Sequence, residues 1–195
     1  ELGCKLEDIQ VRHGDSALVP MSSGTYASRS AVLGGGAATL AARVVKGKVL
    51  RAAAFLMEQS VDDLDIRDGI IASRQSNLTM TLKEVASAVY TQMGRIPREQ
   101  REDLTASETY DPYLGTACSS THLAMVEIDP ETYGVEIRRY VVAEDCGKII
   151  NPMIVDGQVH GAVAQGIGAA LLEEIVHDDN GQAVAASLAD YLVPV

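Results

Sequence analysis

Four glycines within one strongly apolar segment constrain this chain more than any other feature of its sequence. The segment follows Asn151-Pro152, where asparagine suits an N-cap and proline suits the first helical position, so we predict a helix from there to about residue 174. Glycine lowers helix stability, and its presence four times in one helix therefore requires a reason. The four are Gly157, Gly161, Gly166 and Gly168.

Two of these glycines and two glutamines define a candidate binding face. Gly157 and Gly161 are one turn apart and would form a groove that another backbone or a flat ligand can approach. Gln158 and Gln165 are seven residues apart, on one face, and each amide offers both a donor and an acceptor. Tight helix packing explains the glycines but not the paired amides, so both interpretations stay open.

A second candidate site precedes an alanine-rich helical pattern that begins at residue 28 and runs towards residue 57. Residues 24–30 read Gly-Thr-Tyr-Ala-Ser-Arg-Ser, and Gly34-Gly35-Gly36 follows. Hydroxyl groups, small residues and Arg29 at a helix N-terminus suit an anion, because the free N–H groups and the helix dipole favour negative charge there. A capped helix start with a solvated arginine fits the same residues. Gly34–36 and Gly47 predict a kink or two consecutive helices.

The remaining pattern mixes strands and helices. We predict a strand within residues 8–15, a loop at 20–25, and a hairpin in 64–72 that turns at Asp68-Gly69. Ser60 is expected to start a short helical turn, and Thr81 with Glu84 forms a capping box that opens a helix to about residue 90. Two further strands are predicted at about 120–128 and 135–143, and a last hairpin at Asn180-Gly181, between 175–177 and 183–192.

These elements predict an α+β fold with mixed sheets, hairpins and long packed helices, in one domain spanning residues 1–195. Sub-lobes are expected at about 1–92 and 118–195, joined by an irregular, polar connection at 93–117.

Charge and cysteine usage exclude several classes of function. The net charge of −11 repels a nucleic-acid backbone, and no segment has the apolar length of a membrane span. Three scattered cysteines argue against a disulfide framework or a zinc site, and the odd count fits the reducing cytoplasm. Cys146 is expected to be a buried structural thiol. The four histidines have no metal-ligand spacing, so we assign no metal ligand; they are His13, His122, His160 and His177.

Two long motifs resemble a known family. Residues 24–36 are similar to the GTxxSRS…GGG segment in the large subunit of molybdenum hydroxylases, the family of xanthine dehydrogenase, aldehyde oxidase and carbon monoxide dehydrogenase. Residues 145–168 resemble its DCGxxINPxxxxGQxHGGxxQGxG signature, and residues 190–194 resemble the DYLxP segment that follows. Order and spacing agree over essentially the whole chain, which is identified as a fragment of the molybdopterin-binding domain.

The resemblance implies a function and a cofactor. Members hydroxylate an N-heterocycle or an aldehyde, or oxidise carbon monoxide, at a molybdenum held by the pterin and not by protein side chains. By resemblance, Ser28, Arg29 and Ser30 belong to the cofactor-binding loop, Gln158 contacts the pyrophosphate, and Gln165 is a further candidate. The cofactor of a bacterial member would be molybdopterin cytosine dinucleotide. Iron–sulfur ([2Fe-2S]) and FAD partner subunits or domains and a homodimeric assembly are implied as well.

The catalytic general base of the family is a glutamate beyond the DYLxP segment, so it is expected to lie outside this chain, and Glu173 and Glu174 are not assigned that role. We therefore expect the isolated chain to be inactive although its parent is an oxidoreductase. Two alternatives remain: a non-catalytic scaffold of the same family, and a phosphate- or nucleotide-binding module. The second lacks a phosphate-loop Lys-Ser/Thr and a GxGxxG motif after a strand.

Overall fold

The computed structural model describes residues 1–19, 24–92, 94–113 and 115–194. The chain divides into two compact units, Glu1–Thr116 and Ala117–Val195, called here the first and second unit. Helices alternate with two small antiparallel sheets, which confirms the predicted α+β class.

The longest element of the first unit is helix α1, Ser30–Met57, which continues without interruption for 28 residues. The prediction of two consecutive helices is therefore wrong. The glycines are tolerated because alanine and unbranched residues dominate the rest of the helix, and because its last three turns are anchored in the core. Val49 and Ala53 are almost completely buried there.

A three-stranded antiparallel sheet follows α1, preceded by a 3-10 turn at Val61–Asp63 after Ser60. Its strands are β1 (Leu64–Arg67), β2 (Ile70–Ser73) and β3 (Thr79–Thr81). The predicted turn at Asp68-Gly69 joins β1 to β2, with φ angles of 50° and 73° that a two-residue hairpin requires. Strand β3 was not predicted, because three residues are too few for a periodic pattern.

Helix α2, Leu82–Tyr90, begins at the predicted capping box. The Thr81 hydroxyl accepts a hydrogen bond from the Glu84 N–H at 3.2 Å, and the Thr81 N–H donates to the Glu84 carboxylate at 2.8 Å. The apolar face of α2 closes a core against α1 and the sheet. The buried hydrophobic residues are Val49, Ala52, Ala53, Ala54, Met57, Leu64, Ile66, Ile71, Val85, Ala88, Val89 and Ile96.

The described part of the 94–113 segment is irregular except for a 3-10 turn at Arg98–Gln100, and ion pairs hold it to α1. Arg51 donates two hydrogen bonds to Glu102, at 2.6 and 2.8 Å, and Lys48 donates to Asp103 at 2.9 Å. The hydrogen bond from Arg51 lowers the pKa of Glu102 and raises that of Arg51. This segment therefore belongs to the first unit.

The second unit contains a long hairpin and one helix. Strands β4 (Ser119–Ile128) and β5 (Val135–Asp145) pair antiparallel, with a register shift between Met125 and Val126. Helix α3, Pro152–Leu171, starts at the predicted proline and ends three residues earlier than predicted. Both strands and the helix were predicted from sequence.

The described residues of the second unit, 117–194, form no hydrophobic core of their own. Among its described residues only Gly168 is buried. Apolar side chains of β4 and of the α3 segment are open to solvent: Leu123 is 64 % exposed and Met153 is 73 % exposed. Most apolar side chains of the hairpin and of α3 are therefore exposed.

Two predicted strand regions are wrong. Residues 9–15 form no strand, and only a 3-10 turn at Leu6–Asp8 precedes them. Val11 is 77 % exposed, and no strand in the described part of the chain pairs with it. The last hairpin is reduced to one isolated bridge between His177 and Ala183. Its turn does form, since Asp178 accepts hydrogen bonds from the N–H groups of Asn180 and Gln182, both at 2.9 Å. Of the loop predicted at 20–25, residues 20–23 lie outside the described residues.

Candidate functional site

Residues 24–30 fold into a closed loop directly before helix α1. The Arg29 guanidinium donates to the Gly24 carbonyl at 2.9 Å and lies 3.6 Å from the centre of the Tyr26 ring. The hydroxyl groups of Thr25 and Ser30 hydrogen-bond to each other across the loop. These contacts fix the arginine at the helix N-terminus, and a cation over an aromatic ring gains further attraction.

The backbone of this loop is strained. Ala27 and Ser28 both have a φ of 52°, a left-handed conformation that costs a residue with a Cβ about 1–2 kcal/mol. Two such residues in succession persist only where the surrounding contacts hold them. Strain of this kind is concentrated at ligand-binding sites, where it fixes polar groups in advance of binding.

The N-terminus of α1 adds an electropositive end to this loop. Arg29 is the N-cap and makes no side-chain capping bond, while its carbonyl accepts from the N–H groups of Val32 and Leu33. The positive end of the helix dipole and the hydroxyl groups of Ser28 and Ser30 thus share one exposed surface. The loop therefore brings together three of the predicted site residues, and their donors suit a phosphate or pyrophosphate group.

The other two predicted residues lie on α3 in the second unit. Gln158 and Gln165 are both exposed, and their spacing of two turns puts them on one face of the helix. A Cβ built on Gly157 or on Gly161 would meet open space. The helix backbone at these two glycines is therefore not covered by any described residue within 4 Å.

The motif that leads to α3 forms a tight turn. The N–H of Gly147 donates to the Asp145 carboxylate at 3.0 Å, and Gly147 has a φ of 73°. Cys146, between them, is exposed, so the expected buried structural thiol is wrong. The turn follows strand β5 at the edge of a two-stranded sheet, where nothing in the described chain covers it.

Sequence reasoning missed a polar cluster on the β4–β5 hairpin. His122 contacts the Ser120 hydroxyl at 3.1 Å and the Tyr140 hydroxyl at 3.2 Å, and its ring meets the Tyr140 ring edge-on at 5.8 Å. Ser120 and His122 are two residues apart in one strand, so the sequence indicates that they share a face. Tyr140 joins them only through the pairing of β4 with β5, which the sequence of one strand does not specify.

The two glutamates that follow α3 were not assigned as catalytic. Glu173 accepts a hydrogen bond from the Tyr191 hydroxyl at 2.7 Å, which is a structural contact. Over the described ranges, no three His, Cys, Asp or Glu side chains converge as they would around a metal ion. In the same ranges, neither long helix has the length and continuous apolarity that a membrane span needs.

Known proteins resemble this chain over its whole length. The family described as "Molybdopterin cofactor-binding domain" matches residues 1–195. The nicotine 6-hydroxylase large subunit of Paenarthrobacter nicotinovorans is 35% identical over 99% of this chain.

Two solved structures are similar as well. Quinoline 2-oxidoreductase from Pseudomonas putida 86 is 41% identical over 88% of this chain, which covers 22% of that protein, with a TM-score of 0.76. The Cu,Mo-CO dehydrogenase is 33% identical over 97% of this chain, which covers 24% of that protein, with a TM-score of 0.83. This chain also spans only 24% of the nicotine 6-hydroxylase subunit, so it corresponds to about a quarter of its relatives.

Proposed function

This chain belongs to the molybdopterin cofactor-binding domain family, and we propose that its two exposed sites bind the pterin cofactor of a molybdenum-dependent oxidoreductase. In this proposal the loop with Ser28, Arg29 and Ser30 holds the pyrophosphate. The face of α3 with Gln158 and Gln165 makes amide contacts to the cofactor. The protein supplies no side chain to the metal, and its role is to bind and orient.

The observation that carries the proposal is the strained loop before α1. Arg29 is held by Gly24 and Tyr26 at the N-terminus of α1, so a cation, the hydroxyl groups of its neighbours Ser28 and Ser30, and the positive end of the helix dipole are close together in the chain. A doubly charged pyrophosphate gains from each of these, and charge-assisted hydrogen bonds contribute about 1.5–3 kcal/mol apiece. The donor set therefore fits the phosphate portion of the cofactor.

Helix α3 supports the second half of the proposal. The open groove at Gly157 and Gly161 lets a flat ring approach the helix backbone, and Gln158 lies beside it with a donor and an acceptor on one amide. Gln165, two turns further on along the same face, is a further candidate for an amide contact.

We also propose the activity of the whole protein. When bound, the molybdenum cofactor supplies the redox chemistry by which these enzymes oxidise their substrate. Hydroxylation of an N-heterocycle is favoured, since a nicotine hydroxylase and a quinoline oxidoreductase are among the relatives. An aldehyde or carbon monoxide remains an alternative substrate, and a carbon monoxide dehydrogenase supports the latter.

We extend the proposal to the partners and the compartment of the whole protein. A relative that is called a large subunit supports assembly with other subunits, which we propose carry [2Fe-2S] and FAD. We further propose the cytosine dinucleotide form of the cofactor, a homodimeric assembly and a cytoplasmic location. The exposed faces of the second unit would pack against other parts of that assembly.

The binding proposal is tested on the full-length protein by comparing Arg29→Ala with Arg43→Ala. Arg43 is an exposed arginine of the same helix that pairs with Glu1, so its replacement removes equal charge at a distance from the loop. We expect Arg29→Ala to lower the bound molybdenum, and the CMP released on acid hydrolysis, about tenfold or more. Arg43→Ala should retain both. Equal cofactor content in the two variants would exclude the loop as the pyrophosphate site.

A second experiment separates the cofactor site from a general nucleotide-binding module. Calorimetric titration of the 195-residue chain with CDP and with ADP should give binding of CDP alone, because the cytosine form is the proposed ligand. Equal affinity for both would support the nucleotide module. We expect this chain alone to show no dye-linked hydroxylase activity and to carry no stoichiometric molybdenum.

A further inference from the structure

Two cysteines far apart in sequence flank the last residue pair at the open end of the β4–β5 hairpin. Ser119 pairs with Asp145 at the last position of the ladder. Cys118 precedes Ser119 and Cys146 follows Asp145, so the next position of the same antiparallel register places Cys118 opposite Cys146. Both side chains are free thiols and both are exposed.

The strand register puts the two thiols on one side of the hairpin, because Ser120 pairs with Glu144 and each cysteine is two residues from one of them. The Cys118 thiol hydrogen-bonds to Glu144, which is the main reason that the pKa of Cys118 is raised; the Glu144 charge and the nearby Cys146 sulfur also raise it. Glu144 and Cys146 are two residues apart on β5 and its continuation, and residues at that spacing point to the same face. The side chains of Cys118 and Cys146 therefore face the same space.

The backbone spacing of such a pair suits a covalent bond. Directly opposed residues in antiparallel strands have Cα atoms about 4.5–5.5 Å apart. Disulfides span Cα separations of about 4.4–6.8 Å. We propose that Cys118 and Cys146 form a cross-strand disulfide when the protein is exposed to a low-molecular-weight disulfide such as oxidised glutathione.

The exchange balances without any other reactant. One cysteine loses its proton and its sulfur attacks the small disulfide, so that a mixed disulfide forms and one small thiolate leaves. The second cysteine loses its proton and attacks the protein sulfur of the mixed disulfide, which releases the second small thiolate. The two protein thiols are oxidised to one disulfide, and the small disulfide is reduced to two thiols that take up the two protons.

The bond would join the strand that enters the hairpin to the turn at residues 145–147. That turn leads directly to helix α3, whose first residue is Pro152. Oxidation would therefore restrict the backbone of the turn that precedes α3. The third cysteine, Cys4, lies in the first unit, which would be unaffected.

Peptide mapping of the full-length protein tests the proposal directly. The protein is incubated with oxidised glutathione, the remaining thiols are alkylated, and trypsin separates residues 102–138, with Cys118, from residues 140–148, with Cys146. We expect these two peptides to appear linked by a disulfide that a reductant cleaves. Cys118→Ser and Cys146→Ser should each leave a stable mixed disulfide on the remaining cysteine, and Cys4→Ser should change nothing.

The contact with Glu144 gives a kinetic test of the geometry. Glu144→Gln removes the carboxylate that disfavours the Cys118 thiolate, so bond formation near neutral pH should become about threefold faster, since a larger thiolate fraction is partly offset by lower nucleophilicity. Glu136→Gln removes the same charge at the other end of β5 and should leave the rate unchanged.

Three results would overturn the proposal. They are glutathione mixed disulfides that persist on both cysteines of the wild-type protein, a disulfide from either cysteine to Cys4 or to another molecule, and recovery of both thiols fully alkylated after incubation. Equal rates in Glu144→Gln and Glu136→Gln would contradict the placement of the carboxylate against Cys118.

Discussion

Tyr191 donates a hydrogen bond from its hydroxyl to the Glu173 carboxylate at 2.7 Å and so fastens the last described segment of the chain to the end of helix α3. The Pro194 ring and the Glu173 carboxylate both cover Gly168, the buried glycine in the last turn of the helix. The hydrogen bond, burial and the negative charge of Glu173 all raise the pKa of Tyr191. This corner supplies the only burial found among the described residues of the second unit.

Glu173→Gln is expected to lower the pKa of Tyr191 towards its ordinary value. The pKa of Tyr191 is higher in the folded protein than its value of about 10 in the unfolded chain. The contact therefore stabilises the fold fully below about pH 10, and this stabilisation is lost as the pH rises through the folded pKa. NMR titration of ring-labelled tyrosine measures this. The other six tyrosines serve as internal controls. An unchanged Tyr191 titration would mean that the contact does not form in solution.

Gly168→Ala and Gly161→Ala are expected to have opposite effects on helix α3. A Cβ at position 168 would lie 2.8 Å from the Pro194 ring and against Glu173, so the corner must open at a cost of about 1–3 kcal/mol. A Cβ at position 161 meets open space, and alanine stabilises a helix by about 1 kcal/mol relative to glycine. Hydrogen exchange of the α3 amides should be faster in the first variant and slower in the second.

The Gly161→Ala variant also distinguishes the proposed function from a packing role. If the groove binds the cofactor, this variant of the full-length protein should lose bound molybdenum while its helix gains protection from exchange. A variant that keeps its full cofactor content would show that the groove is not needed for binding.

Features encoded by neighbouring residues were predictable from the sequence. The Asp68-Gly69 turn and the capping box of Thr81 and Glu84 each depend on four or fewer consecutive residues, and both occur where expected. The loop with Arg29 was located for the same reason, because its residue types and the following helix are adjacent in the chain. Its left-handed backbone at Ala27 was not predicted, since alanine gives no signal for that conformation.

Features that depend on distant partners were not predictable. Ile9 and Val11 alternate with polar residues as a strand would, yet no strand that the structure describes pairs with them, and both side chains are exposed. Cys118 and Cys146 were interpreted as scattered, because only the register of β4 with β5 brings them together. Strand pairing is decided by the tertiary fold, and a single sequence does not specify it.

Thr81→Ala is expected to destabilise the first unit by about 1 kcal/mol at neutral pH, because the N-cap hydroxyl of α2 is lost. The hydrogen bonds from Thr81 lower the pKa of Glu84. The pKa of Glu84 in the unfolded chain is about 4.3, and a lower pKa in the folded protein stabilises the fold above that pH. This stabilisation is lost as the pH falls through the folded pKa. The difference in free energy of unfolding between variant and wild type, measured by urea denaturation, should therefore be smaller below pH 4 than at pH 7. A constant difference across this range would show that Glu84 does not participate in the cap.

Ala27→Gly tests whether the strained loop is a binding device. Glycine adopts a φ of 52° without the penalty of about 1–2 kcal/mol that alanine pays, but it costs about 0.5–1 kcal/mol more in backbone entropy on folding. The free energy of unfolding of the first unit, measured by urea denaturation, should therefore rise by up to about 1.5 kcal/mol. Ala38→Gly, at an exposed position within α1, should instead lose about 1 kcal/mol, since glycine disfavours a helix.

The same variant should bind its ligand less tightly although it is more stable. Glycine at position 27 lets the unbound loop adopt more backbone conformations. A smaller fraction of molecules then holds Arg29 in the position that its contacts with Gly24 and Tyr26 define, so binding must order the loop first. We expect CDP to bind about threefold more weakly, with Ala38→Gly unchanged in calorimetric titration. Unchanged affinity in Ala27→Gly would mean that the strain has no part in binding. A loss of stability above about 1 kcal/mol would mean that the Ala27 methyl group makes a contact the fold requires.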